Sequence, residues 1–290
     1  MWQRIYGNNL ARLQFRTRPD MTFTLNTLSQ SSLQDYADCP RRFQLRYLER
    51  LSYPALEAEP ALENERHQQE GEYFHRLLQQ HLLGISDEKL ARLANTPNLQ
   101  RWWDNFQNNP PHLDGYTIYP ELTLSAPLGN FRLLAKYDLV AVYRDKAVIY
   151  DWKTYRKRPR NEWLSARWQT RVYRALLVKA GANLNNGNPL EPEQIEMVYW
   201  FADFPTEPAH FPYNPTQFKR DWDALARLAE EIASASSYPK TDDRQKCSYC
   251  PYRSYCDRGI QAGNLDQVEA EMEAEELFDV NFEQIGEVAF

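Results

Sequence analysis

The sequence predicts a mixed α/β core in the order helix, three-stranded meander, helix, strand, with helical additions. Three observations point there. Apolar residues recur at helical spacing through residues 29–106. At Gly115 the texture changes to short runs rich in Tyr, Ile, Leu and Val. Helical spacing then resumes at residue 161.

Ser29 to Ser32 supply N-cap chemistry for a first helix, which carries Leu33, Tyr36, Phe43, Tyr47 and Leu48 at recurrent spacing. Pro40 should divide it in two, with Cys39 at the joint. Residues 66–83 read as a helix with Phe74, Leu77, Leu78 and Leu82 as its apolar stripe, and 88–106 as another ending in Trp102, Trp103 and Phe106. Residues 116–124, 131–143 and 147–153 read as antiparallel strands, turned at Gly129-Asn130 and Arg144-Asp145-Lys146. A helix over 161–180 stops at Gly181, a strand covers 194–203, and a helix covers 215–236. The expected organisation is an extension over 1–28, one domain over 29–260 and a tail over 261–290.

Composition narrows the function classes. Hydrophobic residues make up 42%, enough for a large core, while no apolar run approaches the roughly 20 residues of a membrane helix. The net charge of −6 is unevenly placed. Nine of the 40 acidic residues lie in 264–290, which has no Lys or Arg. Residues 1–263 carry 34 basic and 31 acidic side chains, a net of +3. The acidity belongs to the tail, and the mildly basic body permits a nucleic-acid partner. The tail itself reads as a solvated segment.

The chain has four cysteines, Cys39, Cys247, Cys250 and Cys256. Three form C-x2-C-x5-C, and the fourth lies 208 residues upstream. Four thiolates with none left over suit one four-sulfur site, for an iron–sulfur cluster or for zinc. Two disulfides or four unrelated buried thiols are the alternatives. The first ten residues lack the apolar segment of a secretory signal, so a cytoplasmic, reducing location is expected. A metal at this site would close a very long loop.

The third strand ends in Asp151-Trp152-Lys153. Residues i and i+2 of a strand share a face, so Asp151 and Lys153 emerge together and Trp152 turns away. The meander brings Asp138, on the preceding strand, beside Asp151. Two carboxylates and an ammonium suit a hard divalent cation and an attacking water; a surface ion pair is the plainer alternative. On the next helix Gln169 and Tyr173 are four apart and share a face. The linking segment Arg156-Lys157-Arg158-Pro159-Arg160, with Arg171 on the helix, is a candidate phosphate contact or simply a solvated basic turn.

These residues, taken in order, resemble the RecB-like branch of the PD-(D/E)XK nuclease superfamily, specifically members with a four-cysteine iron–sulfur cluster. The opening resembles Ser29-Gln30-Ser31-Ser32-Leu33, Tyr36, Cys39-Pro40-Arg41, Phe43 and Tyr47. Gly71-Glu72-Tyr73-Phe74-His75 resembles the helix bearing the family histidine. Glu121, Asp138, Asp151-Trp152-Lys153, Gln169 with Tyr173, and the C-terminal cysteines follow in family order. The similarity spans about residues 29–258. Ala135 departs from it, standing where many relatives have glycine.

The resemblance implies a restriction-endonuclease-like fold with a C-terminal metal-cluster segment. It implies a Mg2+- or Mn2+-dependent deoxyribonuclease, an exonuclease, acting on single-stranded DNA or DNA ends in repair or recombination. Its metal ligands would be His75, Asp138, Asp151, the Trp152 carbonyl and, least securely, Glu121. Lys153 would position the water, with Gln169 and Tyr173 in support. The four cysteines would hold a [4Fe-4S] cluster, zinc being the other occupant. Arg156, Lys157, Arg158, Arg160 and Arg171 would contact DNA. There is no G-x-x-x-x-G-K-[ST] motif, so a strand-separating motor would be absent or on another chain, a separate helicase or repair subunit being the partner implied. The alternative is a DNA-binding or scaffolding subunit of a repair or CRISPR-adaptation complex with little activity of its own.

Overall fold

The computed structural model describes residues 25–52, 61–248 and 250–259. Most of the predicted extension and the whole acidic tail lie outside them. Residues Thr27–Leu28, inside the segment expected as an extension, form a short strand, β1.

Helix α1, Gln30–Asp38, starts in a reciprocal cap between Ser29 and Ser32. It ends where the sequence predicts. Cys39 is extended, as a residue before proline prefers, and Pro40 opens α2, Pro40–Phe43, which runs into one π-helical turn over Gln44–Leu48. Helix α3, Ala61–Leu82, begins earlier than its apolar stripe suggests. The single helix expected over 88–106 is two, α4, Asp87–Leu93, and α5, Pro97–Asn108. The cause is local. Thr96 accepts a hydrogen bond from the Leu99 amide as an N-cap, and Pro97 follows it.

The meander is present as β2, Thr117–Leu128, β3, Phe131–Tyr143, and β4, Lys146–Lys153. The helix expected over 161–180 is also divided, into α6, Asn161–Ala166, and α7, Trp168–Ala180, by an extended Arg167. Strand β5, Ile195–Phe201, is followed by β6, Ala209–Pro212, which the sequence reading missed: four residues carry too little alternation to register. Helices α8, Pro215–Ser234, and α9, Arg244–Ser248, follow, and a 3-10 turn over Ser254–Cys256 lies near the end of the described residues.

The sheet order is β1-β3-β4-β5-β6, with β2 on the other edge of β3. β4 and β5 run parallel, joined through α6 and α7; the remaining pairs among β2 to β6 are antiparallel. One sheet face is covered by α1, α7 and α8, burying Leu33, Val172, Leu176 and Leu225 against Tyr137, Val140, Ile149 and Tyr199. The other is covered by α3 to α5, where Phe74, Leu78, Trp102 and Phe106 pack on Leu139, Trp152 and Trp200.

A buried ionic knot ties α7 to α8. Asp221 is fully buried and receives Arg171 Nε at 3.0 Å and the Tyr213 hydroxyl at 3.2 Å, with Arg174 Nη2 at 3.7 Å. Removing one partner of such a knot strands the others in a dry site. Asp221→Ala is expected to cost about 3–5 kcal/mol in urea unfolding. Asp223→Ala, which breaks only the surface pair with Lys219, should cost under about 1 kcal/mol.

Candidate functional site

The site forms where the sheet comes apart. β3 and β4 pair from Tyr143 with Lys146 to Leu139 with Tyr150, and there the ladder stops. β1 takes the same edge of β3 farther on, at Arg132 and Leu133. Between them, residues 134–138 have no strand on that edge among the described residues. In continuing register Asp138 faces Asp151, at the first rung past the pairing.

The released backbone groups find side-chain partners. The Trp152 amide donates to Asp138 Oδ2 at 2.8 Å. The Tyr173 hydroxyl donates to the Lys136 carbonyl at 2.7 Å. Asp138 Oδ1 lies 3.3 Å from His75 Nδ1, which reaches it from α3 on the opposite face. Asp151 and Lys153 share a face, as strand alternation predicts; that face meets α7, and Trp152 lies buried beneath α3 and α5. Gln169 Nε2 donates to Asp151 Oδ2 at 2.7 Å. Lys153 Nζ lies 3.0 Å from Asp151 Oδ1 and under 6 Å from the ring centres of Tyr155 and Tyr199. Asp151 and Lys153 are 2% and 6% exposed, so their charges meet with little solvent screening.

A second irregularity aims Asp138. Tyr137 and Val140 both face the α7 layer, so the alternation of β3 slips between them. On β2 the same slip falls between Tyr119 and Leu122. The rung where both slip is Glu121 opposite Asp138, which is missing from an otherwise continuous ladder. Glu121 sits at φ 53°, a left-handed conformation costing about 1–3 kcal/mol in a non-glycine residue. Its carboxylate is ion-paired with Lys136.

The two carboxyls are driven apart in acidity. Burial pushes Asp151 up to about 7; Lys153 opposes this and the charge of Asp138 adds to it. Burial also acts on Asp138, but the adjacent His75 ring and the Trp152 amide hold it below the usual carboxylate range. Asp151 Oδ1 is buried without a well-aligned hydrogen bond, despite the nearby ammonium. A carboxylate oxygen so placed, beside a second carboxylate, suits a hard cation. As the side chains stand, no three His, Cys, Asp or Glu groups among the described residues converge as ligands.

The other predicted residues fall in several places. Tyr173 is buried, its hydroxyl spent on backbone. Arg158 bonds the Glu207 carbonyl and Asn161, and Arg171 bonds Asp221 while stacking on Trp168. Arg156, Lys157 and Arg160 are exposed on the loop leaving Lys153. His67 was overlooked; its Nε2 lies 2.8 Å from the Thr154 carbonyl, just beyond Lys153. Its position eight residues before His75 on α3 was the available signal.

Cys39, Cys247, Cys250 and Cys256 line one pocket, together with Arg42, Lys240, Lys246, Arg253 and Arg258. Burial pushes the Cys250 thiol up to about 11 and raises Cys247 and Cys256. The surrounding cations suit a set of thiolates carrying a metal group, and in chemistry the donor set fits either an iron–sulfur cluster or zinc.

A family model described as the PD-(D/E)XK nuclease superfamily matches residues 27–117 and 100–257. No curated protein sequence matches significantly. Among solved structures, that of SSO0001 is similar at 18% identity, covering 82% of this chain and 89% of that one, with a TM-score of 0.37. A candidate exonuclease from Eubacterium rectale is similar at 8% identity, covering 82% and 91%, with a TM-score of 0.48. At these TM-scores neither likeness carries an inference about this chain. Among the described residues no helix is long and apolar enough to cross a membrane.

The weakened acidity of Asp151, its pKa pushed up to about 7 by burial, has a stability consequence. The folded protein prefers its protonated form, so the stability that form supplies is full below about 4 and is lost as pH rises toward 7. Asp151→Asn, a neutral isostere, should therefore raise the melting temperature of the metal-free protein at pH 8. The gain should shrink as pH falls from 7 to 4, measured by calorimetry in chelator.

Proposed function

This chain belongs to the PD-(D/E)XK nuclease superfamily, and we propose that it is a Mg2+- or Mn2+-dependent deoxyribonuclease acting on single-stranded DNA or DNA ends. The observation that carries the reading is the rung of Asp138 and Asp151 past the end of the β3–β4 ladder, with Lys153 and Gln169 on Asp151. A divalent cation held there supplies Lewis acidity to a phosphodiester.

The protein's own groups do the rest. Asp138 and Asp151 are the principal ligands, with His75 and the Trp152 carbonyl completing the set. Asp138 is aimed by the Trp152 amide, and Asp151 by Gln169. Lys153 orients the attacking water and offsets charge on the phosphate as it develops. Tyr173 positions rather than reacts, closing the gap in the sheet. Glu121 joins the ligand set only if it leaves Lys136. Arg156, Lys157 and Arg160 extend from the Lys153 end of β4 and serve the DNA backbone. The four cysteines hold a [4Fe-4S] cluster that ties α1 to the C-terminal segment.

The test is nucleotide release from end-labelled single-stranded DNA with Mg2+ or Mn2+, using protein purified without oxygen. The intact chain should cleave and Asp151→Ala should not. Lys153→Met should slow cleavage by about 10²–10³-fold with DNA binding retained. DNA binding without cleavage by the intact chain would count against the reading.

The cysteine assignment is tested separately. The purified protein should be brown, with a broad visible absorption that zinc, as a d10 ion, does not give. Cys250→Ala should lose that colour and much of its solubility; a colourless parent containing zinc would replace the cluster.

A further inference from the structure

Helix α7 starts without a cap of its own. Arg167, at the N-cap position, makes no side-chain hydrogen bond to the first turn, whose amides have no intrahelical partner. The Trp168 amide is accepted instead by Gln34 Oε1 of α1, at 3.4 Å. Gln34 thus caps a helix to which it does not belong. The next residue of α7 is Gln169, whose amide holds Asp151 at 2.7 Å. A second side chain of α1, Gln30, donates to the Tyr173 hydroxyl at 3.4 Å.

Gln34 is itself held from the other direction. Its Nε2 donates to Asp38 Oδ2 at 3.1 Å. Asp38 receives Lys246 at 2.7 Å on Oδ1 and Arg42 at 3.0 Å on Oδ2. Lys246 and Arg42 both line the cysteine pocket. Cys39 directly follows Asp38, and Cys247 directly follows Lys246. A run of polar contacts of 2.7–3.4 Å, joined by covalent neighbours, therefore leads from the residues beside the cysteines to Asp151, and Gln34 is its midpoint.

We propose that Gln34 is a positioning residue that couples the four-cysteine pocket to the catalytic carboxylates. Order in the cysteine segment fixes Asp38, Asp38 orients the Gln34 amide, and that amide sets the first turn of α7 and with it Gln169 on Asp151. Only a side chain that accepts and donates at once does both jobs. Glutamate there would still accept from Trp168 but would repel Asp38, and methionine would do neither. The inference rests on the reading of the two clusters as metal centres. A coupling free energy between two binding sites acts in both directions, which gives two independent readouts.

The experiment is Mn2+ binding to the full chain, followed by the electron paramagnetic resonance of the free ion. It compares the parent, Gln34→Glu and Gln34→Met, each with iron bound and after iron chelation. The parent should lose about fivefold or more in Mn2+ affinity when the cysteine pocket is emptied. In both variants the affinity should not depend on loading. Reciprocally, Mn2+ should slow iron release to a chelator from the parent and not from either variant. Should chelation unfold the parent, the iron-loaded proteins decide. Gln34→Met should then bind Mn2+ several-fold more weakly than the parent, with circular dichroism and iron content unchanged. A parent indifferent to loading, variants that keep the dependence, or equal affinities in the loaded proteins would overturn the coupling. A parent that binds no Mn2+ in any state, or no iron, would instead remove the carboxylate or the cysteine reading, and the proposal with it.

Discussion

Strands β3 and β4 part company after Leu139 and Tyr150, and the candidate site is a consequence of that parting. Two strands that separate inside a protein leave amides and carbonyls that water cannot reach, and each needs another partner. Here the partners are side chains of the candidate site. Asp138 takes the Trp152 amide, and Tyr173 takes the Lys136 carbonyl. The requirement that backbone groups be satisfied thus aims a carboxylate and ties α7 to β3.

The arrangement is costly to the protein alone. Two acidic side chains share one site, Asp138 half-buried and Asp151 buried and driven up to about 7, and Glu121 nearby is in a left-handed conformation. The cost is borne because the surroundings are rigid. The sheet is covered on both faces, Trp152 is locked between Phe106 and Trp200 by edge-to-face contacts, and the Asp221 knot fixes α7 against α8. A cation bound between the carboxylates would relieve their repulsion, and its binding would then be linked to folding.

Much of this was legible in the sequence, for identifiable reasons. Asp151 and Lys153 share a face because strand geometry has period two, and Gln169 and Tyr173 share one because helix geometry repeats every 3.6 residues. Cys39 sits at a helix joint because Pro40 follows it. The matching slips in β2 and β3 were not legible, since a left-handed Glu121 has no sequence mark of the kind glycine leaves. His67, Gln34 and Lys136 were missed because their partners are backbone atoms or charges distant in sequence. The break at Thr96-Pro97 was legible as a cap followed by proline, but the continuous apolar spacing across it outweighed that signal.

The cysteine pocket and the carboxylate rung lie at opposite ends of α1 and its contacts, which makes the helix a strut between two centres of distinct chemistry. The measurement that bears most directly on the account is anomalous diffraction from a crystal grown with Mn2+. The account predicts an anomalous peak between Asp138 and Asp151, with Lys153 displaced from Asp151 Oδ1. A manganese peak elsewhere, with those two carboxylates still engaged only by Lys153, His75 and the Trp152 amide, would contradict it.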